Sequence, residues 1–102
     1  MWTELSDTAI LTRLGNRIRE YRIARELKQS DLAEESGVGL STIRKIENGL
    51  PVSVLLLISV LRTLDLLENL DLLVPETRIT PLQLLKFQGR KVQRVRTSKD
   101  SL

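Results

Sequence analysis

Cysteine and histidine are both absent from the chain. Without cysteine there is no disulfide framework and no thiolate metal site, a usage that fits a reducing cytoplasm. Without either residue the usual nucleophile–base pairs cannot be built, and a transition-metal site would rest on carboxylates alone. No enzyme chemistry and no cofactor are expected; Asp31, Glu34 and Glu35 read as a solvated acidic face. Aromatics are nearly missing too: Trp2, Tyr21 and Phe87 are the only three. That leaves no stacking platform for single-stranded nucleic acid. Leucine with little aromatic or β-branched content favours helix over sheet. Long apolar runs are also lacking. The Leu-rich stretch Val52–Val74 is interrupted by Arg62, Asp65, Glu68 and Asp71 and cannot span a bilayer. No signal peptide is visible.

What is present is enough for one domain with a modest core, in 102 residues. The formal net charge is +3, and its distribution says more than its size. Residues 86–102 hold Lys86, Arg90, Lys91, Arg94, Arg96 and Lys99 against Asp100 alone, so this segment is +5 and residues 1–85 sum to −2. A body of net −2 can hold DNA if its positive charges gather on one face.

Helical spacing organises the rest. Ser6 or Asp7 can cap a first helix, in which Ile10, Leu11, Leu14, Ile18, Tyr21 and Arg25 recur on one side. Residues 1–5 read as a loose end. Gly15 inside this helix costs about 1 kcal/mol against alanine, which points to close packing. A second helix is expected from Gln29 to near Glu35, with Leu32 and Ala33 inward and Gly37 as a left-handed stop. A third starts at Gly39 and ends near Asn48, closed by Gly49 and followed by Pro51. Ser53 can cap a fourth, to near Leu64, and a fifth covers roughly residues 66–72.

In Val52–Val74, 15 of 23 residues are apolar, more than one buried stripe needs. Either the fourth helix is simply the central core helix, or the surplus meets a partner. The simplest partner is a second copy across a two-fold axis, through Val54, Leu57, Leu61, Leu66 and Leu70. Thr80-Pro81 has the pattern of a helix start, and Leu82, Leu84, Leu85 and Phe87 then make a short apolar helix ending at Gly89. From Arg90 the chain is polar and basic and is expected to be disordered when free. The expected organisation is an all-α domain of five helices over residues 6–74, a linker and short extra C-terminal helix over 75–89, and a basic tail over 90–102.

The segment Gln29–Gly49 must be explained as a unit. Two short helices meet near a right angle only across a tight turn, which Gly37 permits and Val38 fills. Leu32, Ala33, Val38, Ile43 and Ile46 form the inner face. Ser41, Arg44, Lys45 and Asn48 fall at i, i+3, i+4 and i+7, so they share the outer face of the third helix. That polar, cationic face suits the major groove of double-stranded DNA. Arg22, beside the apolar stripe of the first helix, and Glu47, next to Ile46, can turn inward as a pair that fixes the tilt of the third helix. From spacing alone they can equally be two solvated charges.

The run from Leu14 to about Leu64 resembles the Cro and phage-repressor family of helix-turn-helix proteins, also called the xenobiotic-response-element type. The landmarks are Leu14, Arg17-Ile18-Arg19, Arg22, Leu27, Gln29, Leu32-Ala33, Gly37-Val38, Ser41, Ile43, Ile46-Glu47-Asn48-Gly49 and Pro51. The resemblance implies a five-helix, lambda-repressor-like DNA-binding domain with a buried Arg22–Glu47 ion pair. It implies base contacts from Leu40, Ser41, Arg44 and Lys45 and phosphate contacts from Gln29 and Asn48, to which Lys28 is added as a neighbouring cation. Arg and Lys favour guanine O6 and N7, and a helix N-terminus such as that at Gln29 suits a phosphate. Two positions depart from the family pattern. Gly39 stands where Ser or Thr usually caps the third helix, and Leu40 is less typical than a polar residue, though it can touch a thymine methyl.

The segment Pro81–Gly89 with its basic tail is similar to the ends of HipB-like antitoxins. This second resemblance implies an autorepressor that also binds a HipA-type Ser/Thr kinase toxin, through Leu82, Leu85 and Phe87. The alternatives are a plain phage-type or chromosomal repressor with no toxin partner, and a chain that works mainly as a protein-binding antitoxin subunit. In each case the expected setting is the bacterial cytoplasm, with the protein nucleoid-associated and bound as a homodimer to an inverted-repeat operator.

Overall fold

The computed structural model describes residues 1–77 together with Leu82 and Leu85. Its helices are α1 (Asp7–Ala24), α2 (Gln29–Ser36), α3 (Leu40–Glu47), α4 (Val54–Thr63) and α5 (Leu70–Leu73), with 3-10 turns at Trp2–Glu4 and Leu67–Asn69. Among the described residues there is no strand. The chain divides into two compact units, Met1–Leu70 and Asp71–Leu102. In the second, Leu72, Leu73, Val74, Leu82 and Leu85 are all exposed. The expected helix ending at Gly89, and the tail, otherwise lie outside the described residues. No described helix is long and apolar enough to cross a membrane.

Local chemistry sets the helix ends. Ser6 Oγ accepts from the Ala9 N–H at 3.1 Å, and Ser53 Oγ accepts from the Leu56 N–H at 3.2 Å. Each hydroxyl satisfies one of the donors a helix start leaves unpaired. The C-termini of α1 to α4 close in one way. A residue with positive φ follows each helix: Glu26 (59°), Gly37 (73°), Gly49 (76°) and Asp65 (59°). The N–H after it then reaches back five residues, from Leu27 to Arg22, Val38 to Ala33, Leu50 to Lys45 and Leu66 to Leu61. These bonds satisfy the last carbonyls of the helices. Glycine supplies the left-handed backbone without strain at two of the stops. At the others the αL penalty falls on Glu26 and Asp65.

The core is built by Ile18 of α1, Leu32 of α2, Val38 of the turn, Ile43 and Ile46 of α3, and Val60 and Leu64 of α4. Ala33, Val52, Leu56, Leu57 and Leu66 pack against it. Burying side chains such as Leu32 and Val60 completely stabilises the fold by roughly 1.5–3 kcal/mol each.

Three features differ from the sequence reading. The inward line of α1 runs through Gly15, Ile18 and Arg22, while Leu14 and Tyr21 of the expected stripe are exposed. An arginine scores as polar in a periodicity count, so the count misplaced the face toward the apolar neighbours. Residues 1–5 are not loose. Trp2 is half-buried in a 3-10 turn, with the guanidinium carbons of Arg13 and Arg17 at 5.4 and 4.8 Å from its ring centre. Both distances fall within cation–π range, and the two arginines lie one helical turn apart. The region expected as a fifth helix opens as 3-10 turn before α5 begins at Leu70.

Candidate nucleic-acid interface

The turn between α2 and α3 aims the third helix. Gly37 takes the left-handed conformation, Val38 is buried in the corner, and Gly39 is the N-cap of α3, with no side-chain capping bond. From Leu40 onward α3 is two-sided. Ile43, Ile46 and Glu47 are buried; Ser41, Arg44 and Lys45, with Asn48 at the C-cap, are exposed. Leu40, at the first position, is half-buried. Thus the four residues assigned to the outer face are brought together there, and Leu40 stands at their N-terminal edge. Neither Arg44 nor Lys45 has an ion-pair partner among the described residues. Both occupy the last turn, where cations complement the helix dipole.

Three contacts fix α3 on α1. The first is backbone on backbone. A Cβ built on Gly15 would collide with the Ile46 carbonyl oxygen and sit 3.0 Å from that of Glu47. The second is Gly49, where a Cβ would lie 2.7 Å from Thr12 Oγ1 and 2.8 Å from its Cα. The third is ionic. Arg22 Nε donates to Glu47 Oε2 at 2.6 Å and Nη2 donates to Oε1 at 3.0 Å. The two residues are only 8% and 6% exposed. Arg22 Nη1 also donates to the Leu27 carbonyl at 2.7 Å. The fork-on-fork geometry fixes direction as well as distance. The buried-pair alternative is therefore the one observed.

Gln29 belongs to this network as well: its Nε2 donates to Glu47 Oε1 at 3.0 Å. Its side-chain amide, assigned from the sequence to a phosphate, thus already has an intramolecular partner. Sequence spacing gave no sign of this, because the two residues are 18 apart. Lys28 is the exposed N-cap of α2, and its backbone N–H is taken by Asp31 Oδ2 at 2.9 Å. Its ammonium has no ion-pair partner among the described residues. Lys28, Gln29 and Asn48 do converge. They line a cleft of about 500 Å³ together with Arg22, Glu47 and Arg19. Arg19 enters the sequence reading only as a landmark of the family pattern, with no contact assigned to it; the available signal was its position three residues before Arg22 on α1.

The residues assigned to a dimer interface have mixed surroundings. Val54 is exposed, Leu61 and Leu70 are half-buried, and Leu57 and Leu66 pack partly on the chain's own core. Leu55 beside Val54 is exposed and was not singled out. Of the residues assigned to a protein partner, Leu82 and Leu85 are exposed, and Phe87 lies outside the described residues.

The two-helix turn, the fixed third helix and its cationic outer face now have a counterpart among known families. The helix-turn-helix family model HTH_3, of the Cro and C1 repressor type, matches residues 18–68. The chain belongs to that family. The match covers half of the chain, from the core position Ile18 of α1 to the 3-10 turn before α5. It makes the protein a DNA-binding transcription regulator. A search of curated proteins returns no match.

Proposed function

We propose that the protein is a homodimeric repressor that binds an inverted repeat upstream of its own gene. Each subunit lays α3 in a major groove, with half-site centres about 34–36 Å apart. Arg44 and Lys45 read bases, at roughly 1–3 kcal/mol for a good bidentate contact. Ser41 and Leu40 contact neighbouring base edges. Lys28 and Asn48 hold phosphates and set register. The basic segment 86–102 adds salt-sensitive, sequence-blind affinity. The observation that carries this reading is the face of α3: two cations without ion-pair partners among the described residues, exposed on a helix whose other side is held to α1. Exposed Val54 and Leu55 on α4 support a second copy as the dimer partner.

The test is a mobility shift on DNA from upstream of the gene, against scrambled competitor, with Arg44→Ala and Lys45→Ala beside wild type. Selective binding by wild type, lost in the variants, is the expected result. Binding that is only salt-sensitive and unselective would overturn the reading of α3 as the base reader.

A second reading adds a protein partner. Leu82 and Leu85 are exposed and lie three residues apart, both helical, a spacing that puts them on one face. Together with the resemblance of this segment to HipB-like antitoxins, this favours a chain that also holds a HipA-type kinase toxin in a toxin–antitoxin pair. Co-purification of an untagged kinase encoded beside the gene is the expected result. Operator binding with no captured kinase would leave a plain repressor.

A further inference from the structure

Trp2 gathers two cations on the side of α1 that α3 does not use. The guanidinium carbons of Arg13 and Arg17 lie 5.4 and 4.8 Å from its ring centre. Both arginines are exposed, Trp2 is half-buried, and neither arginine has an ion-pair partner among the described residues. They stand two residues before and two residues after Gly15, the point at which α1 meets the backbone of α3. At 3.6 residues per turn, both project from the opposite side of the helix. The patch is therefore turned away from α3 and from the face that reads bases. Two long cationic side chains ordered over one ring are a prepared surface for carboxylates, and tryptophan and arginine are the residues that most often anchor protein interfaces.

The complement is on α2. Glu34 and Glu35 are exposed and have no ion-pair partner among the described residues, whereas Asp31 accepts from the Lys28 N–H. Glu34 lies two residues beyond the fully buried Leu32, so it projects outward. Both glutamates fall in the last turn of α2, the end at which the helix dipole disfavours anions. Their placement works slightly against the isolated fold and serves no ion pair within its described residues.

We propose that the Trp2–Arg13–Arg17 patch docks the Glu34–Glu35 end of α2 of a second copy. The two surfaces differ, so the contact is head-to-tail and does not close on itself as a two-fold dimer does. It leaves the outer face of α3 free, and so it links one DNA-bound dimer to the next on neighbouring sites. That consequence rests on the DNA-binding reading above; the contact itself does not.

Sedimentation velocity of the full chain, over a concentration series at low salt, reads the contact without DNA. The samples are wild type, the double variant Arg13→Glu, Arg17→Glu, the double variant Glu34→Lys, Glu35→Lys, and an equimolar mixture of the two variants. Wild type is expected to form species larger than the dimer and to lose them as salt rises. Each charge reversal is expected to weaken this association by about tenfold or more, because an exposed ion pair contributes up to about fivefold and reversal adds repulsion. The mixture is expected to regain it, since each reversed surface then meets a reversed partner. Trp2→Ala is expected to weaken association with no change of charge.

Absence of species larger than the dimer in wild type overturns the proposal. So does association that survives either reversal, and so does a loss that mixing fails to restore while circular dichroism shows both variants folded. On a duplex carrying two adjacent copies of the upstream site, wild type is expected to fill the second site about tenfold more tightly than the first, and independent filling overturns the role on DNA. If wild type fails to bind DNA at all, the functional reading falls, and the sedimentation result still decides the contact.

Discussion

Removing Arg22 or Glu47 singly is expected to harm the fold more than removing both. Arg22→Met leaves the carboxylate of Glu47, a residue 6% exposed in the native fold, with Gln29 as its remaining side-chain donor. Glu47→Leu leaves the guanidinium of Arg22, a residue 8% exposed in the native fold, with the Leu27 carbonyl alone. Breaking a buried pair on one side typically costs about 3–5 kcal/mol. A domain of this size has a total stability of roughly 5–15 kcal/mol, so each single variant sits near the edge of folding. At about 4–8 °C per kcal/mol the melting temperature should fall on the order of 15–30 °C. The double variant Arg22→Met, Glu47→Leu leaves no buried charge. Its remaining losses are the donor to the Leu27 carbonyl, about 1–3 kcal/mol for an unsatisfied acceptor, and the Glu47 acceptor of the Gln29 amide, each less to the extent that water reaches these half-buried residues. The double should therefore be more stable than either single. Urea titrations followed by circular dichroism at 222 nm supply the four free energies of the cycle. If the single losses simply add to the double within about 0.5 kcal/mol, the pair is not coupled in solution and the reasoning fails.

Three further outcomes follow from the same geometry. Gln29→Ala should cost the free protein about 1 kcal/mol, because Glu47 Oε1 loses a donor; unchanged stability would mean that Gln29 acts only on DNA. Gly15→Ala should destabilise by roughly 1–3 kcal/mol through overpacking against the Ile46 carbonyl, despite alanine's helix preference, and a rise in melting temperature would show that α1 and α3 are not in close contact. Replacing operator thymines by deoxyuridine, one at a time, should reveal a methyl read by Leu40, at about 0.8 kcal/mol or roughly fourfold in affinity. That sensitivity should vanish in Leu40→Ala, and its persistence there would assign the methyl to another residue.

The parts legible in the sequence are those that backbone chemistry or burial decides. Gly37 and Gly49 declare left-handed stops, Ser53 declares a cap, and Ile43 and Ile46 declare the inward face of α3. The Arg22–Glu47 pair needed the family pattern, because two charges 25 residues apart carry no local signal. Trp2 was missed for a related reason: its partners Arg13 and Arg17 read as ordinary surface charges until a ring lies over them. Glu26 and Asp65 escaped because a left-handed residue is easily anticipated only where it is glycine. Arg19 stands in the sequence as a family landmark alone, because its place in a cleft assembled from three separate helices leaves no local signal.

The contacts that hold α3 are unevenly placed along it, and this bears on how the helix meets DNA. The backbone of Ile46 and Glu47 rests on Gly15, Glu47 is gripped by Arg22, and Gly49 lies on Thr12. All three are at the C-terminal end. At the other end Gly39 has open space around its missing side chain and offers no capping bond. The start of α3 is thus the less restrained part, while its tilt is set from the C-terminal end. Pre-setting that tilt removes part of the ordering cost of association. The phosphate contacts proposed at Lys28 and Asn48 would then fix the braced end first, leaving Leu40 and Ser41 to be carried into the groove by the helix axis. On this arrangement a substitution at the brace changes affinity for all sequences together, and one at Leu40, Arg44 or Lys45 changes the order in which sequences are preferred.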